Sequence, residues 1–210
     1  KISRIPISKS KEWHFDNGTL IHRSERFFQV AAVEWANTNK DPFFQPMLIQ
    51  QEVGILGFII SNNKILLQAK TEPGNVRGTQ IAPTVQATAS NLDRVHGGSE
   101  PQFAKYFLEH EYPFLNKSLQ SEQGSRFFQK FNQNMLIRIN KPYPTGNLFN
   151  WIELEKLFDL VDQDFLINTD ARSVLITSSW QALTNRDPFT RGNDSFSEAL
   201  HKSYHDDSKI

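Results

Sequence analysis

The sequence predicts an α+β fold built on a mostly antiparallel or mixed sheet. Three observations predict it. Alternating, β-rich stretches crowd the chain before Asn91, one capped helical stripe stands midway at 99–110, and a second follows a long strand that ends at Ile139. At 210 residues the chain suits one large domain with a substantial core. The expected boundaries are a flexible lead-in at 1–12, a domain at 13–180, and a polar tail at 181–210. That tail carries one amphipathic stretch at Phe196, Ala199, Leu200 and Tyr204.

In chain order, Asn17-Gly18 is a turn signal between Trp13-His14-Phe15 and Leu20-Ile21-His22, which predicts a first strand pair. Arg26–Ala36 fits both a helical stripe (Phe27, Phe28, Ala31, Ala32, Trp35) and a strand, and strand is the reading adopted. Gln45–Gln51 and Val53–Ile60 are β-rich. Ser61-Asn62-Asn63-Lys64 has the form of a two-residue hairpin turn, because asparagine tolerates the left-handed backbone. Leu67 and Ala69 then alternate with Gln68, Lys70 and Glu72. Pro73-Gly74-Asn75 turns the chain, Pro presetting one backbone angle. A strand from Ile81 to Asn91 should place Ile81, Pro83, Val85 and Ala87 on one face and Ala82, Thr84, Gln86, Thr88 and Ser90 on the other.

Ser99-Glu100-Pro101-Gln102 reads as a capping box for a helix through Phe103, Tyr106, Phe107 and His110, stopped by Pro113. Gln120–Arg126 reads as a polar loop. Phe127–Ile139 reads as one long strand with Phe127, Phe131, Met135, Ile137 and Ile139 on one side and Asn132 and Asn134 on the other. Asn150 at a cap with Glu153 three later predicts a helix with Trp151, Leu154, Leu157, Phe158 and Val161 as its stripe. Asp170 could cap a short segment through Ile176. No internal repeat is present.

Lys plus Arg equals Asp plus Glu at 23 each, so no net field favours a nucleic acid or an anionic membrane. No apolar run reaches the roughly 18 residues of a spanning helix. With no cysteine, thiol nucleophiles and zinc-thiolate sites are excluded. These totals predict a soluble, cytoplasmic protein without nucleic-acid or membrane partners. Lys1 rather than Met opens the chain, which fits a trimmed or excised piece of something longer.

Histidines at 14, 22, 96, 110, 201 and 205 show no metal-ligand spacing. A nucleophile elbow is absent, and Gly74 and Gly78 lack the lysine and serine of a phosphate loop. The distinctive feature is the run from Gln68 to Asn91, whose polar faces carry Gln, Thr and Ser with one Lys. Short neutral hydrogen-bonding groups suit a cleft for a polyhydroxylated ligand, and the same pattern fits a solvated sheet face. Candidate acid–base groups are Lys70, Glu72, Glu122, His96 and Tyr106. Lys70 is the sharpest, as an amine among neutral polar neighbours; a snorkelling strand-end lysine is the alternative. Arg77, Arg94 and Arg126 could each clamp a diphosphate.

Gln68-Ala69-Lys70-x-Glu72-Pro73-Gly74-Asn75, Pro83-Thr84-Val85-Gln86-Ala87-Thr88-x-Ser90-Asn91, Gln120-Ser121-Glu122-Gln123-Gly124 and Asn132-x-Asn134-Met135 resemble the NDP-hexose 2,3-dehydratases of deoxysugar biosynthesis. So do His22 with Phe27-Phe28, Gln50-x-Glu52-x-Gly54 and Asp170-x-Arg172-Ser173-Val174-Leu175, and the resemblance covers roughly Trp13 to Leu175. It implies a Nudix-like nucleotide-sugar-binding domain at 13–180, a dTDP-4-keto-6-deoxyhexose substrate, no cofactor or metal, and a lyase reaction across C2–C3. The magnesium-binding Nudix box is not in the sequence.

On this resemblance Lys70, Glu72 and Glu122 are the expected catalytic groups. Gln68, Asn75, Thr84, Gln86, Thr88, Ser90, Asn91, Arg94, Arg126, Asn132 and Asn134 are expected to bind substrate, the arginines pairing with phosphate and an aromatic covering the base. A homodimer, and a 3-ketoreductase acting on the product, are the implied partners. Members of the family resemble two fused modules and this chain holds one. That leaves three arrangements: half of a longer enzyme, a one-module homodimer, or a binding copy without the chemistry.

Overall fold

The computed structural model describes residues 2–37, 40–88, 101–109, 111–178 and Leu183, and among them it forms two sheets. The first has the order β1 (Trp13–Asp16), β2 (Thr19–His22), β3 (Gln29–Asn37), β4 (Lys40–Ile49) and β10 (Phe127–Phe128). The second runs β12 (Phe149–Glu153), β6 (Lys64–Thr71), β5 (Gly54–Ser61), β11 (Phe131–Ile139), β9 (Phe114–Ser121). Two short strands, β7 (Thr79–Ala82) on β6 and β8 (Val85–Ala87) on β5, complete it.

The centre of the second sheet is the parallel pair β5 and β11, in register from Asn132 opposite Gly54 to Ile139 opposite Ser61. Parallel strands covered on both faces read as continuous apolar runs, and Gly54-Ile-Leu-Gly-Phe-Ile-Ile is one. Phe58, Ile60 and Leu136 face helices α2 (Leu154–Val161) and α3 (Thr169–Thr177) through Leu154, Leu157, Ala171 and Val174. Ile59, Met135 and Ile137 face the other side, where Phe103 and Phe107 of the segment bearing the single-turn helix α1 (Lys105–Leu108) cover them. Each such fully buried side chain contributes about 1.5–3 kcal/mol. Gly57 is required here: a Cβ would run into the Phe107 ring.

The turns follow the expected chemistry. Asn17 and Gly18 hold φ of 46° and 81° in the β1–β2 hairpin, and Asn62 holds 54° between β5 and β6. Arg26–Ala36 contributes β3, a strand.

Five expectations are corrected. The strand from Ile81 breaks after Ala82, because Pro83 has no amide to donate and Thr84 turns inward; β8 then wedges beside β5. Phe127–Ile139 is two strands in different sheets, the chain crossing at Gln129 (φ 51°) and Lys130. Asn150 caps nothing: Phe149–Glu153 pairs with β6, and the helix begins only at Leu154. The midway helix is one turn, since Phe103 takes φ of 69°, which no helix continues through; Ser99 and His110 lie outside the described residues. Strand β9 covers Gln120 and Ser121, which had been assigned to the loop.

Candidate active site

The end of the second sheet builds a cavity of about 180 Å³ where β6 and β5 diverge around β8. Lys70, Gln86, Thr88, Glu122, Lys130, Asn132 and Asp170 line it, with Gln50, Gly54 and Phe127. These residues come from five separated stretches of chain. Backbone pairing delivers α3 to the site: Ile81 donates to the Leu166 carbonyl at 2.8 Å, and Asn168 donates to the Ile81 carbonyl at 2.9 Å.

A continuous chain of contacts runs across the cavity wall. Lys70 Nζ lies 3.4 Å from Glu72 Oε1, and Gln86 Nε2 donates to the same oxygen at 3.0 Å. Gln86 Oε1 accepts from Asn168 Nδ2 at 3.0 Å, and Asn168 Oδ1 in turn accepts from the Ala171 amide at 2.8 Å as the N-cap of α3. On the opposite wall Asn132 Nδ2 donates to Glu122 Oε1, and the Glu122 amide donates to the Lys130 carbonyl at 2.9 Å. Lys130 Nζ donates to the Glu52 carbonyl, while the Glu52 side chain accepts from Gln50 Nε2 at 2.8 Å. Gly54 makes room for this wall, because a Cβ there would strike the Asn132 amide.

The charges are tuned by burial. Asp170, second residue of α3, has its carboxyl pushed up to about 6. Burial is the main cause, followed by the negative charges of Glu122 and Glu72; Lys70 and a Gln86 hydrogen bond pull the other way. Lys130 is 5% exposed, and burial draws its ammonium below the ordinary lysine range against the attraction of Glu52, Glu122 and Asp170. A carboxyl held above its usual range and an ammonium held below its own thus line one cavity, and groups perturbed in this way mark a candidate site of proton transfer.

Of the residues expected to form the site, Lys70, Gln86, Thr88, Glu122 and Asn132 meet in this cavity, and Glu72 supports it. Others are turned away. Thr84 is buried in the sheet, accepting from the Ile59 amide at 3.1 Å and donating to the Leu66 carbonyl, so its hydroxyl ties β5 to β6. Asn134 is fully buried and donates to Ser173 and Thr177, which pins α3 to β11. Asn75 donates to the Gly78 carbonyl at 2.7 Å and closes the β6–β7 turn. Gln68 sits opposite Ala82 and Phe149 outside the cavity lining, and Arg126 is exposed in the loop before β10. Tyr106 stacks on Tyr143 on the far face of the sheet, and burial raises its phenol. Ser90, Asn91, Arg94 and His96 lie outside the described residues.

Asp170, Lys130 and Gln50 were missed as site residues. The sequence places Asp170 in a block resembling the family and at a helix cap, a role that Asn168 fills. Among the described residues no group of three His, Cys, Asp or Glu side chains has metal-holding geometry.

A sequence model described as NDP-hexose 2,3-dehydratase matches residues 1–177. The chain belongs to that family. Among curated relatives, a dTDP-4-dehydro-6-deoxy-alpha-D-glucopyranose 2,3-dehydratase of Saccharopolyspora spinosa is 40% identical over 183 residues, covering 82% of this chain and 37% of that protein. One of the same name from Amycolatopsis orientalis is 36% identical over 203 residues, covering 90% and 43%. The chain thus spans less than half the length of these 2,3-dehydratases. An ADP compounds hydrolase structure superposes with a TM-score of 0.51 at 13% identity, covering 80% of this chain and 92% of that one, a likeness of fold. What the two share is a mixed sheet between helices.

Proposed function

We propose that this chain is an NDP-4-keto-6-deoxyhexose 2,3-dehydratase, a lyase removing water across C2–C3 of dTDP-4-keto-6-deoxyhexose to give a 3,4-diketo-2,6-dideoxy sugar. The observation that carries the reading is the pairing, in one small cavity, of a basic buried carboxylate (Asp170) with two ammonium groups (Lys70 and Lys130). The names of the relatives support the substrate.

The reaction needs a base, an oxyanion partner and an acid. The C4 ketone acidifies the C3 proton, which Asp170 takes; the enolate charge develops on the C4 oxygen, where the Lys70 ammonium stabilises it. Collapse of the enolate forms the C2–C3 double bond and expels the C2 hydroxyl, which leaves as water with a proton from Lys130. The resulting 3-enol takes a proton at C2 and becomes the 3-ketone, so one water leaves and no oxidant is needed. Glu72 holds Lys70, and Glu122 raises the basicity of Asp170 while Asn132 fixes it. On this reading Asp170, Lys70 and Lys130 share the acid–base steps.

The test is to mix the chain with dTDP-4-keto-6-deoxyglucose and follow the nucleotide sugar by chromatography and mass. Loss of one water supports the reading. Thermal stabilisation without water loss would instead make the chain a silent nucleotide-sugar-binding module, an outcome its length of under half its relatives keeps in view. The diketone is a substrate suited to a 3-ketoreductase, and the cytoplasm is the compartment proposed for both steps.

The homodimer has its own support. Beside β3 and β4 lies a hollow of about 1070 Å³ lined by Val33, Trp35, Phe43, Met47 and Phe127, and Trp35 and Phe43 are 69% and 59% exposed. An apolar face of this kind is an association surface. Light scattering should give twice the chain mass, and Trp35→Glu should halve it; a monomeric wild type would contradict the dimer.

A further inference from the structure

Pockets for whole ligands run about 300–1,000 Å³, so the 180 Å³ cavity is sized for a sugar ring and leaves the nucleoside diphosphate outside. Two openings adjoin it among the described residues. The large apolar hollow shares Phe127 with it, and a second cleft of about 340 Å³ shares Gln50. That second cleft is lined by Glu25, Arg26, Phe27, Gln29, Ile49, Gln50, Gln51 and Glu52.

Charge decides between them. The hollow carries Glu34 and Asp41 with no lysine or arginine in its lining, which disfavours a diphosphate. The cleft has Arg26 in its wall, and at its Gln50 end Lys130 Nζ reaches the Glu52 carbonyl. Its three glutamine amides can donate to phosphate or to a base edge. Phe27 is 41% exposed, and His22 at 4.3 Å and Trp13 at 6.1 Å between ring centroids hold it in place. An exposed aromatic ring held by its neighbours is a stacking platform for a base. The carboxylates of Glu25 and Glu52 also face the cleft; they oppose the phosphates and suit a ribose hydroxyl.

We propose that the cleft of Arg26, Phe27 and Gln29 binds the nucleoside diphosphate of the substrate, continuing through Gln50 into the cavity that binds its sugar. The proposal rests on the nucleotide-sugar reading above and moves phosphate recognition from Arg126 to Arg26. It is tested with thymidine diphosphate alone, by calorimetric titration of the full chain, and with KM for the 4-keto sugar nucleotide.

Arg26→Gln and Phe27→Ala should each weaken thymidine diphosphate about tenfold and raise KM by a similar factor, with kcat little changed. Arg26→Gln should also flatten the salt dependence of binding, and Glu25→Gln should tighten it. Phe43→Ala, in the hollow, should leave the affinity as it was. Unchanged binding in both Arg26→Gln and Phe27→Ala, or weakened binding in Phe43→Ala alone, would overturn the assignment while the dehydratase reading stands. A wild-type chain that binds neither thymidine diphosphate nor the sugar nucleotide would overturn both.

Discussion

Asn168 Nδ2 donates to Gln86 Oε1 at 3.0 Å while its own Oδ1 caps helix α3. One side chain therefore fixes the helix that carries Asp170 and orients the glutamine that reaches Glu72, two residues along from Lys70. Losing it should cost more in activity than in stability. Asn168→Ala removes a cap worth about 1 kcal/mol and should lower kcat at least tenfold. Asn168→Asp keeps the cap acceptor but loses the donor to Gln86, so melting near the wild-type temperature with low kcat is expected. Wild-type kcat in Asn168→Asp would make the residue a cap alone.

Asp170 sets a pH dependence with a definite sign. Its folded carboxyl is raised to about 6, above its unfolded value, so the folded state holds the proton more tightly. Its contribution to stability is therefore full below the unfolded value and is lost as pH rises to about 6. Asp170→Asn should then stabilise the chain at pH 8 by on the order of 2–3 kcal/mol, a gain that disappears near pH 4. As the base must be ionised, wild-type kcat/KM should fall as pH drops below about 6. Urea unfolding of both proteins at the two pH values, with a pH–rate profile, checks both.

Glu122→Gln removes a negative charge that raises the Asp170 carboxyl. The acid limb of kcat/KM should move to lower pH, with the plateau rate reduced. A limb that stays in place would detach Glu122 from Asp170.

Gly54→Ala puts a methyl group against the Asn132 amide that holds Glu122. Overpacking of this kind costs about 1–3 kcal/mol, and turnover should drop with it. A melting curve and kcat near wild type would show that the wall yields freely.

Lys70→Met should abolish turnover and leave folding intact, since Lys70 lies at a strand end and its ion pair with Glu72 is partly solvated. Circular dichroism with the turnover assay checks it, and retained activity would remove Lys70 from the mechanism.

What could be read from the chain was its local grammar. Asn17-Gly18 and Asn62-Asn63 announce their hairpins because so few residues accept a positive φ. Glycine and apolar residues in Gly54–Ile60 likewise announce a central strand. Lys70 and Glu122 stood out because their blocks are short, polar and dense. Period-two counting failed at Thr84, whose hydroxyl replaces a missing backbone partner between two strands; such a pairing is invisible to alternation. It failed at Lys130 because the chain changes sheets there, within what reads as one strand. Asp170 is one hundred residues from Lys70, and the backbone pairing of Ile81 with Leu166 and Asn168 brings it across, helped by Asn134 on Ser173 and Thr177. No spacing within α3 records that tertiary contact.

The central claim is that Asp170 takes the C3 proton in the cavity it shares with Lys70 and Lys130. Proton NMR of dTDP-4-keto-6-deoxyglucose in deuterium oxide tests it directly. The wild-type chain should erase the C3–H signal and place deuterium at C2 of the product, and Asp170→Asn should leave C3–H intact although the sugar nucleotide still binds. Loss of the C3–H signal at the wild-type rate in Asp170→Asn would contradict the account.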